Sequence, residues 1–146
     1  MFIPESEYQN ILKIMPVFCM DFLISCKGQH LLIKRTQEPV KDVYWVIGGR
    51  MRFKETTKDL AGRVQTREIG RFIGVGKTIG FSNYFFPDVD GARATHTPTL
   101  LNLVEVSEKF DPIIDDTSSD FMWTDKLPNE LMRQTEFLVP IEKLSQ

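Results

Sequence analysis

Glycine, glutamate and arginine recur at fixed intervals between Gly49 and Gly70: five residues separate Gly49 from Glu55, seven separate Glu55 from Arg63, and Glu68 follows just ahead of Gly70. A loop running into a helix leaves backbone groups unpaired, and a helical carboxylate can share a hard, oxygen-seeking cation with them. Helical positions four residues apart lie on one face. The position four before Glu68 is Val64, so Glu68 stands alone there and one Mg²⁺ or Mn²⁺ is the most this helix supports, completed by backbone oxygen, water and the phosphates of a ligand. The helix dipole disfavours a carboxylate near a C-terminus, which argues for a functional Glu68 over an incidental one. Glu55 and Arg63 carry opposite charge and are expected to pair across loop and helix.

Other polar residues fall where they need a reason. Asp21 interrupts the apolar run VFCMDFLIS, and a carboxylate inside such a strand is paired, solvated at a rim, or functional. Arg35 ends a strand and Arg50 follows paired glycines, positions from which guanidinium groups can grip phosphate oxygens. Arg52 is out of phase with both and reads as surface. The chain has two histidines, and His30, opening a strand after a turn, reads as an exposed strand end.

The elements that must place these groups follow from periodicity and turn chemistry. Residues 5 to 14 put Tyr8, Ile11 and Leu12, with Met15 beyond, on one face of a short amphipathic helix after Pro4, either a lid or an oligomer contact. Strands from Val17 to Ser25 and from His30 to Lys34 flank Lys27-Gly28 as a hairpin. A loop from Thr36 to Lys41 leads to a short buried strand, Tyr44 to Ile47, which stops at Gly48-Gly49, where glycine permits positive φ or close backbone approach. The clearest helix runs from about Thr56 to Ile69, with Thr56 or Thr57 as cap and Gly70 as an αL stop. Strands are expected at Gly74–Gly80, Phe81–Phe86, Thr99–Val106 and Phe121–Trp123, with a turn at Pro87–Gly91, a loop through Asp111–Asp120 and helical spacing from Pro128 to Leu138. The pattern is α+β: an α/β/α sandwich with a mixed sheet and one central helix, in a single domain spanning residues 1–146.

The spacing of Gly49 to Gly70 is similar to the Nudix box, G-x5-E-x7-R-E-U-x-E-E-x-G-U, and departs from its full form at Val64 and Arg67, where the box carries carboxylates. The surrounding run DFLISCKGQHLLIKRTQEPVKDVYWVIGGRMRFKET resembles the GDP-mannose mannosyl hydrolase branch, with Asp in the first strand, K-R-T after the second and Y-W-x-x-G-G-R leading into the box. That branch lacks the same two box carboxylates. The resemblance implies Mg²⁺-dependent hydrolysis of a nucleoside diphosphate sugar, GDP-mannose to GDP and mannose, by attack at sugar C1. It implies that the Gly49 backbone and Glu68 bind the ion, that Arg35 and Arg50 contact the diphosphate, and that Asp21 faces the sugar. Guanidinium groups and a metal would stabilise charge on departing GDP, and a carboxylate would stabilise positive charge at C1. His96 falls where the branch also has histidine, as a ligand contact or a structural group. A homodimer and a link to surface polysaccharide synthesis are implied as well.

The branch places a Gln-His pair, metal ligand and base, before the last core strand. Thr117 and Ser118 stand there instead, and neither hydroxyl serves as a base near neutral pH. Asp115, Asp116 and Asp120 crowd that loop: Asp116 can be assigned as replacement base and ion ligand, its pKa raised by like charge, or the three form a solvated acidic loop. Two alternatives therefore stand beside the mannosyl hydrolase: a nucleotide-sugar pyrophosphatase, and a nucleotide-sugar-binding protein whose catalysis is impaired by Ser118. A purely structural interaction domain leaves Asp21, Arg35 and Arg50 unexplained.

Composition narrows the partners. With 18 basic and 20 acidic side chains and a formal charge of −2, no global field recruits nucleic acid or an anionic membrane, so an anionic ligand needs local arginines. A hydrophobic fraction of 42% including eleven Phe supports a real core. Cys19 and Cys26 match neither a metal-ligand spacing nor a disulfide framework and read as reduced, buried thiols. With no membrane-length apolar run and no basic leader, a cytoplasmic location is expected.

Overall fold

The computed structural model describes residues 2–37, 41–87 and 94–144. Helix α1 (Glu5–Ile14) begins after Pro4 with Glu5 and Glu7 in its first turn and Lys13 in its last, each complementing the helix dipole. It buries Leu12 and keeps Tyr8 and Ile11 half-exposed. Strands β1 (Cys19–Cys26) and β2 (Gln29–Arg35) form the expected hairpin, paired Ser25 to His30 and Cys26 to Gln29. Its two-residue turn holds Lys27 at φ 49° and Gly28 at φ 79°, the left-handed geometry that matches strand twist.

The chain continues through β3 (Tyr44–Trp45) and β4 (Ile47–Arg50) into helix α2 (Thr57–Ile69). Thr56 caps α2 in a reciprocal capping box with Asp59, and Gly70 closes it at φ 79°. Strands β5 (Lys77–Pro87), β6 (Ala94–Glu105) and β7 (Ser118–Thr124) follow, then α3 (Asn129–Gln134), β8 (Thr135–Phe137) and a 3₁₀ turn at Ile141–Leu144.

The single strand expected at Tyr44–Ile47 with a stop at Gly48-Gly49 is instead two short strands, the second of which runs through both glycines to Arg50 by pairing with β1. Two further elements are corrected. The two strands read at Gly74–Gly80 and Phe81–Phe86 are one continuous strand with a register shift between Thr78 and Gly80. The helix read through Leu138 ends at Gln134, because Thr135–Phe137 pairs with Gly80–Ser82. The turn read at Pro87–Gly91 lies, beyond Pro87, outside the described residues.

The mixed sheet runs β3-β2-β1-β6-β5-β8, with β4 also on β1 and β7 on β2. Strand β1 is its axis: parallel to β6 along Cys19–Ser25, it is paired antiparallel with β4 over Cys19–Phe22 and with β2 only at its end. Side chains alternate across it. Met20, Phe22 and Ile24 pack toward Leu60, Ala61, Val64 and Ile69 of α2, whereas Leu23 joins Trp45, Tyr84, Leu101, Leu131 and Leu144 in a second core. These two apolar layers make the α/β/α sandwich. Cys19 and Cys26 are free, buried thiols, as read. His30 is corrected: it is 1% exposed, and its Nδ1 lies 2.5 Å from Ser25 Oγ across the hairpin. No helix among the described residues is long and apolar enough to cross a membrane.

Candidate functional site

An open cavity of about 1210 Å³ lies where β1, β4, the second half of α2 and α1 meet; Asp21, Arg35, Gly48, Arg50, Arg63 and Glu68 all line it. Asp21 is not at a sheet edge. It sits in the central strand opposite Gly48 of β4 and Leu101 of β6. A Cβ at Gly48 would stand 1.9 Å from Asp21 Oδ1, so the carboxylate occupies the space of the missing side chain. The paired glycines thus serve close approach, since positive φ is recorded at neither. At Gly49 a Cβ would meet Val64 Cγ2 at 2.7 Å. Val64, the first departure from the full box, is a core residue that lets β4 settle onto α2.

Glu68 is 4% exposed and its Oε2 accepts a hydrogen bond from the Gly48 amide at 3.3 Å. Burial pushes its carboxyl up to about 7, with Asp115 adding to the rise and Arg35, Arg67 and the Gly48 amide opposing it. Asp21 is also pushed up to about 7, first by burial and then by the charge of Glu68, against the pull of Arg35 and a hydrogen bond from Trp45. Burial thus raises the proton affinity of both carboxyl groups, and the charge of Glu68 adds to the rise at Asp21, although Arg35 opposes it at each. The Cys19 thiol beside them is pushed up to about 12, by burial and by Asp21, and carries no nucleophilic thiolate.

Arg63 forks onto Glu55, Nε to Oε1 at 2.5 Å and Nη2 to Oε2 at 3.0 Å, and Nη2 also donates to the Arg50 carbonyl at 2.8 Å. The Arg52 amide donates to Glu55 Oε2 at 2.8 Å. This ring of bonds shapes the loop between β4 and α2. Arg50 Nη1 donates to Tyr8 Oη at 3.0 Å, with its guanidinium carbon 5.9 Å from the Tyr8 ring centre. Helix α1 therefore reaches over the cavity, as a lid would.

The structure separates three other candidates from this group. Asp116 is exposed, and its contact is through the backbone: Thr36 Oγ1 donates to its carbonyl at 2.9 Å. The assignment of Asp116 as base and ion ligand is corrected to a loop carboxylate outside the cavity lining. Asp120 accepts from Tyr44 Oη at 2.6 Å, which lowers the carboxyl and raises the phenol. His96 pairs with Phe85 across β5 and β6, stacks on it at 4.5 Å, and its Nε2 lies 2.8 Å from Asn83 Oδ1. Since Tyr84 and Phe86 line the cavity, the strand alternation turns Phe85 and His96 to the other face, so His96 as a substrate contact is also corrected. Asp115 is the loop residue that reaches the helix, with Oδ2 3.4 Å from Arg67 Nε.

Three residues of the site carry roles that the sequence does not signal: Tyr8 reads only as one face of a lid helix, Trp45 only as strand, and Arg67 only as a departure from a motif. The contacts of Tyr8 with Arg50, of Trp45 with Asp21 and of Arg67 with Asp115 are made between distant segments.

A divalent cation is tested by the donors present. Among the described residues no three His, Cys, Asp or Glu side chains cluster as a metal site. The buried Glu68 carboxylate facing Gly48, with the Asp21 carboxylate in the same cavity, nonetheless suits one hard cation completed by backbone, water and ligand oxygens.

No family model matches the chain. The low-salt glycan biosynthesis protein Agl8 of Haloferax volcanii is 30% identical over 96 residues, 64% of this chain, and the match spans 62% of the length of that curated relative. The Nudix domain of Shewanella oneidensis NrtR, solved with ADP ribose, superimposes with a TM-score of 0.61 at 13% identity, over 90% of this chain and 88% of that one. A bifunctional NMN adenylyltransferase/ADP ribose pyrophosphatase of Francisella tularensis, solved with AMP and a Mn ion, matches with a TM-score of 0.58 at 19% identity, over 88% of this chain and 40% of that one. The chain therefore has the Nudix fold.

Proposed function

We propose that this protein is a Mg²⁺- or Mn²⁺-dependent hydrolase of a nucleoside diphosphate sugar, with GDP-mannose as the leading substrate, cleaved to GDP and mannose at sugar C1. One observation carries the reading: the half-buried Asp21 and the buried Glu68 share a cavity with Arg35 and Arg50. Cations for a diphosphate and carboxylates for a sugar and a metal are thereby adjacent. The resemblance around Asp21, Arg35 and Gly48–Arg50 supports the same choice, as does a relative named for glycan biosynthesis.

In this reading Glu68 and the Gly49 backbone hold the ion, which supplies charge neutralisation of the diphosphate. Arg35 and Arg50 bind and orient the diphosphate and stabilise charge on the departing nucleotide. A water oxygen bonds to C1 while the bond from C1 to the diphosphate oxygen breaks and its electron pair leaves with GDP. Asp21 is the carboxylate placed to take the water's proton or to stabilise positive charge at C1. It replaces Asp116, which lies outside the cavity lining, in that role. Glu55 and Arg63 shape the loop and touch no reacting atom. The homodimer implied by the resemblance belongs to this reading and is checked by light scattering.

Incubation with NDP-sugars and Mg²⁺ in ¹⁸O-water, read by phosphorus NMR and mass spectrometry, tests it. GDP with label in the sugar establishes attack at C1. Label in a nucleoside monophosphate or sugar phosphate transfers the chemistry to the diphosphate, the reaction named in the Francisella protein. Binding without turnover leaves the nucleotide-sugar-binding alternative, which Thr117 and Ser118 at the expected base position favour. Glu68→Gln should abolish metal-dependent turnover, and full activity in that variant removes the metal assignment.

A further inference from the structure

Position 67 departs most sharply from the motif that surrounds it: a carboxylate site is filled by arginine. Arg67 Nη2 lies 3.6 Å from Glu68 Oε1, and its Nε lies 3.4 Å from Asp115 Oδ2. The two carboxylates come from separate segments, α2 and the loop before β7. That loop is docked on the helix end, since the Ile113 amide donates to the Ile69 carbonyl at 3.1 Å and a Cβ on Gly70 would meet Ile113 Cβ at 2.8 Å. Asp115 is further oriented by the Thr117 amide, which donates to its Oδ1 at 3.0 Å.

Two carboxylates converging on one positive centre is the donor arrangement of a bridged hard cation, here with a guanidinium at the centre. Unlike an ion, the guanidinium cannot leave, and unlike lysine it presents a planar fork that reaches two carboxylates and keeps its charge at every working pH.

We propose that Arg67 is a built-in second cation: it stands in for a divalent ion that Glu68 and Asp115 would otherwise bridge, limits the site to one ion and weakens the binding of that one. This rests on the reading of Glu68 as the ion's carboxylate. The helix consequently needs no further acidic residues, and the loop stays docked without a bridging metal.

Mn²⁺ titrations followed by electron paramagnetic resonance of the free ion test this without reference to turnover. Arg67→Gln removes the charge from a side chain 53% exposed, so folding is not at stake, and circular dichroism verifies it. Wild type should bind one ion. Arg67→Gln should bind the first about five- to tenfold more tightly, the Coulomb effect of a unit charge on a divalent ion at this range after screening. It should also acquire a second, weaker ion that disappears in Arg67→Gln/Asp115→Asn, while Arg67→Lys, which keeps the charge without the fork, should fall between wild type and Arg67→Gln. Wild-type affinity and stoichiometry in Arg67→Gln would overturn the proposal. Glu68→Gln separates the two layers of argument: if it abolishes binding while Arg67→Gln changes nothing, only the arginine's role falls. If Mn²⁺ binds equally well with or without Glu68, or binds neither wild type nor Arg67→Gln, the metal assignment falls and the arginine's role falls with it. Binding by Arg67→Gln alone would support the substitution in its strongest form.

Discussion

Asp21 owes its position to a side chain that is absent. Its carboxylate fills the volume above Gly48, and the same glycine's amide donates to Glu68, so one residue spaces one acid and anchors the other. Gly48→Ala would press a methyl group to within 1.9 Å of Asp21 Oδ1, and 2.8 Å of the Met20 carbonyl. The strand must give, at a cost of about 1–3 kcal/mol as in other overpacked sites. Denaturant unfolding should show that loss, with turnover falling more than in an Asn102→Ser control away from the cavity; an unaltered midpoint would mean the carboxylate moves freely. The type of Asp21 and of Glu68 marked them in the sequence, but their proximity, which adds the charge of Glu68 to the burial that raises Asp21, is made by Gly48 and by the pairing of β1 with β4. No local signal carries that.

Helices α1 and α2 and the first hairpin were legible because their signals are local: Pro4, the Thr56–Asp59 box, Lys27-Gly28 and Gly70 each act within a few residues. The sequence left Thr56 and Thr57 open as caps, and the structure distinguishes them. Thr56→Ala should cost about 1 kcal/mol of stability and Thr57→Ala little, measured by urea unfolding; equal costs would show the box to be dispensable. Where an element depends on a distant partner, reading failed. Gly80 looked like a break between two strands, yet it is kept small by β8, since a Cβ there would meet Thr135 Cγ2 at 2.6 Å and the Glu136 carbonyl at 3.2 Å. His96 was turned from the cavity by the register of β6 on β5, and Asp115 rather than Asp116 was turned toward Arg67 by docking of the loop on α2. Alternation within a strand is visible in one dimension; which face meets the ligand is decided by the neighbouring strands.

For the whole molecule, opposing titrations set stability against pH. Asp21 and Glu68 have folded pKa values raised to about 7 from ordinary values of 3.8 and 4.5, so the folded state binds more protons than the unfolded one between roughly pH 4 and 7. Their influence makes the metal-free protein more stable as pH falls through that window. His30 is lowered from 6.5 by burial, so its contribution is present above that value and lost as pH falls through 6.5 toward the folded pKa. Glu55, Asp59 and Asp120 are lowered carboxylates and lose their contribution only in more acidic solution. In chelator, Tm should rise from pH 7.5 to 5.5, the two carboxyl groups outweighing one histidine. In Asp21→Asn/Glu68→Gln the slope should reverse, exposing His30. A wild-type Tm that falls over this interval would show that the cavity carboxyl groups are compensated by something other than protons.

The fork of Arg63 on Glu55, closed by the Arg50 carbonyl and the Arg52 amide, joins the end of β4 to α2 with no ligand as intermediary. A loop held this way has already lost its conformational freedom during folding, so a diphosphate arriving at Gly49 and Arg50 meets a rigid receptor and owes little ordering entropy there. The opposite wall is α1, which packs through Leu12 and meets the arginines of the cavity through the hydroxyl and ring of Tyr8. Tight and loose ligands should then differ in how long they stay beneath that helix, and the dissociation rate becomes the quantity on which discrimination acts.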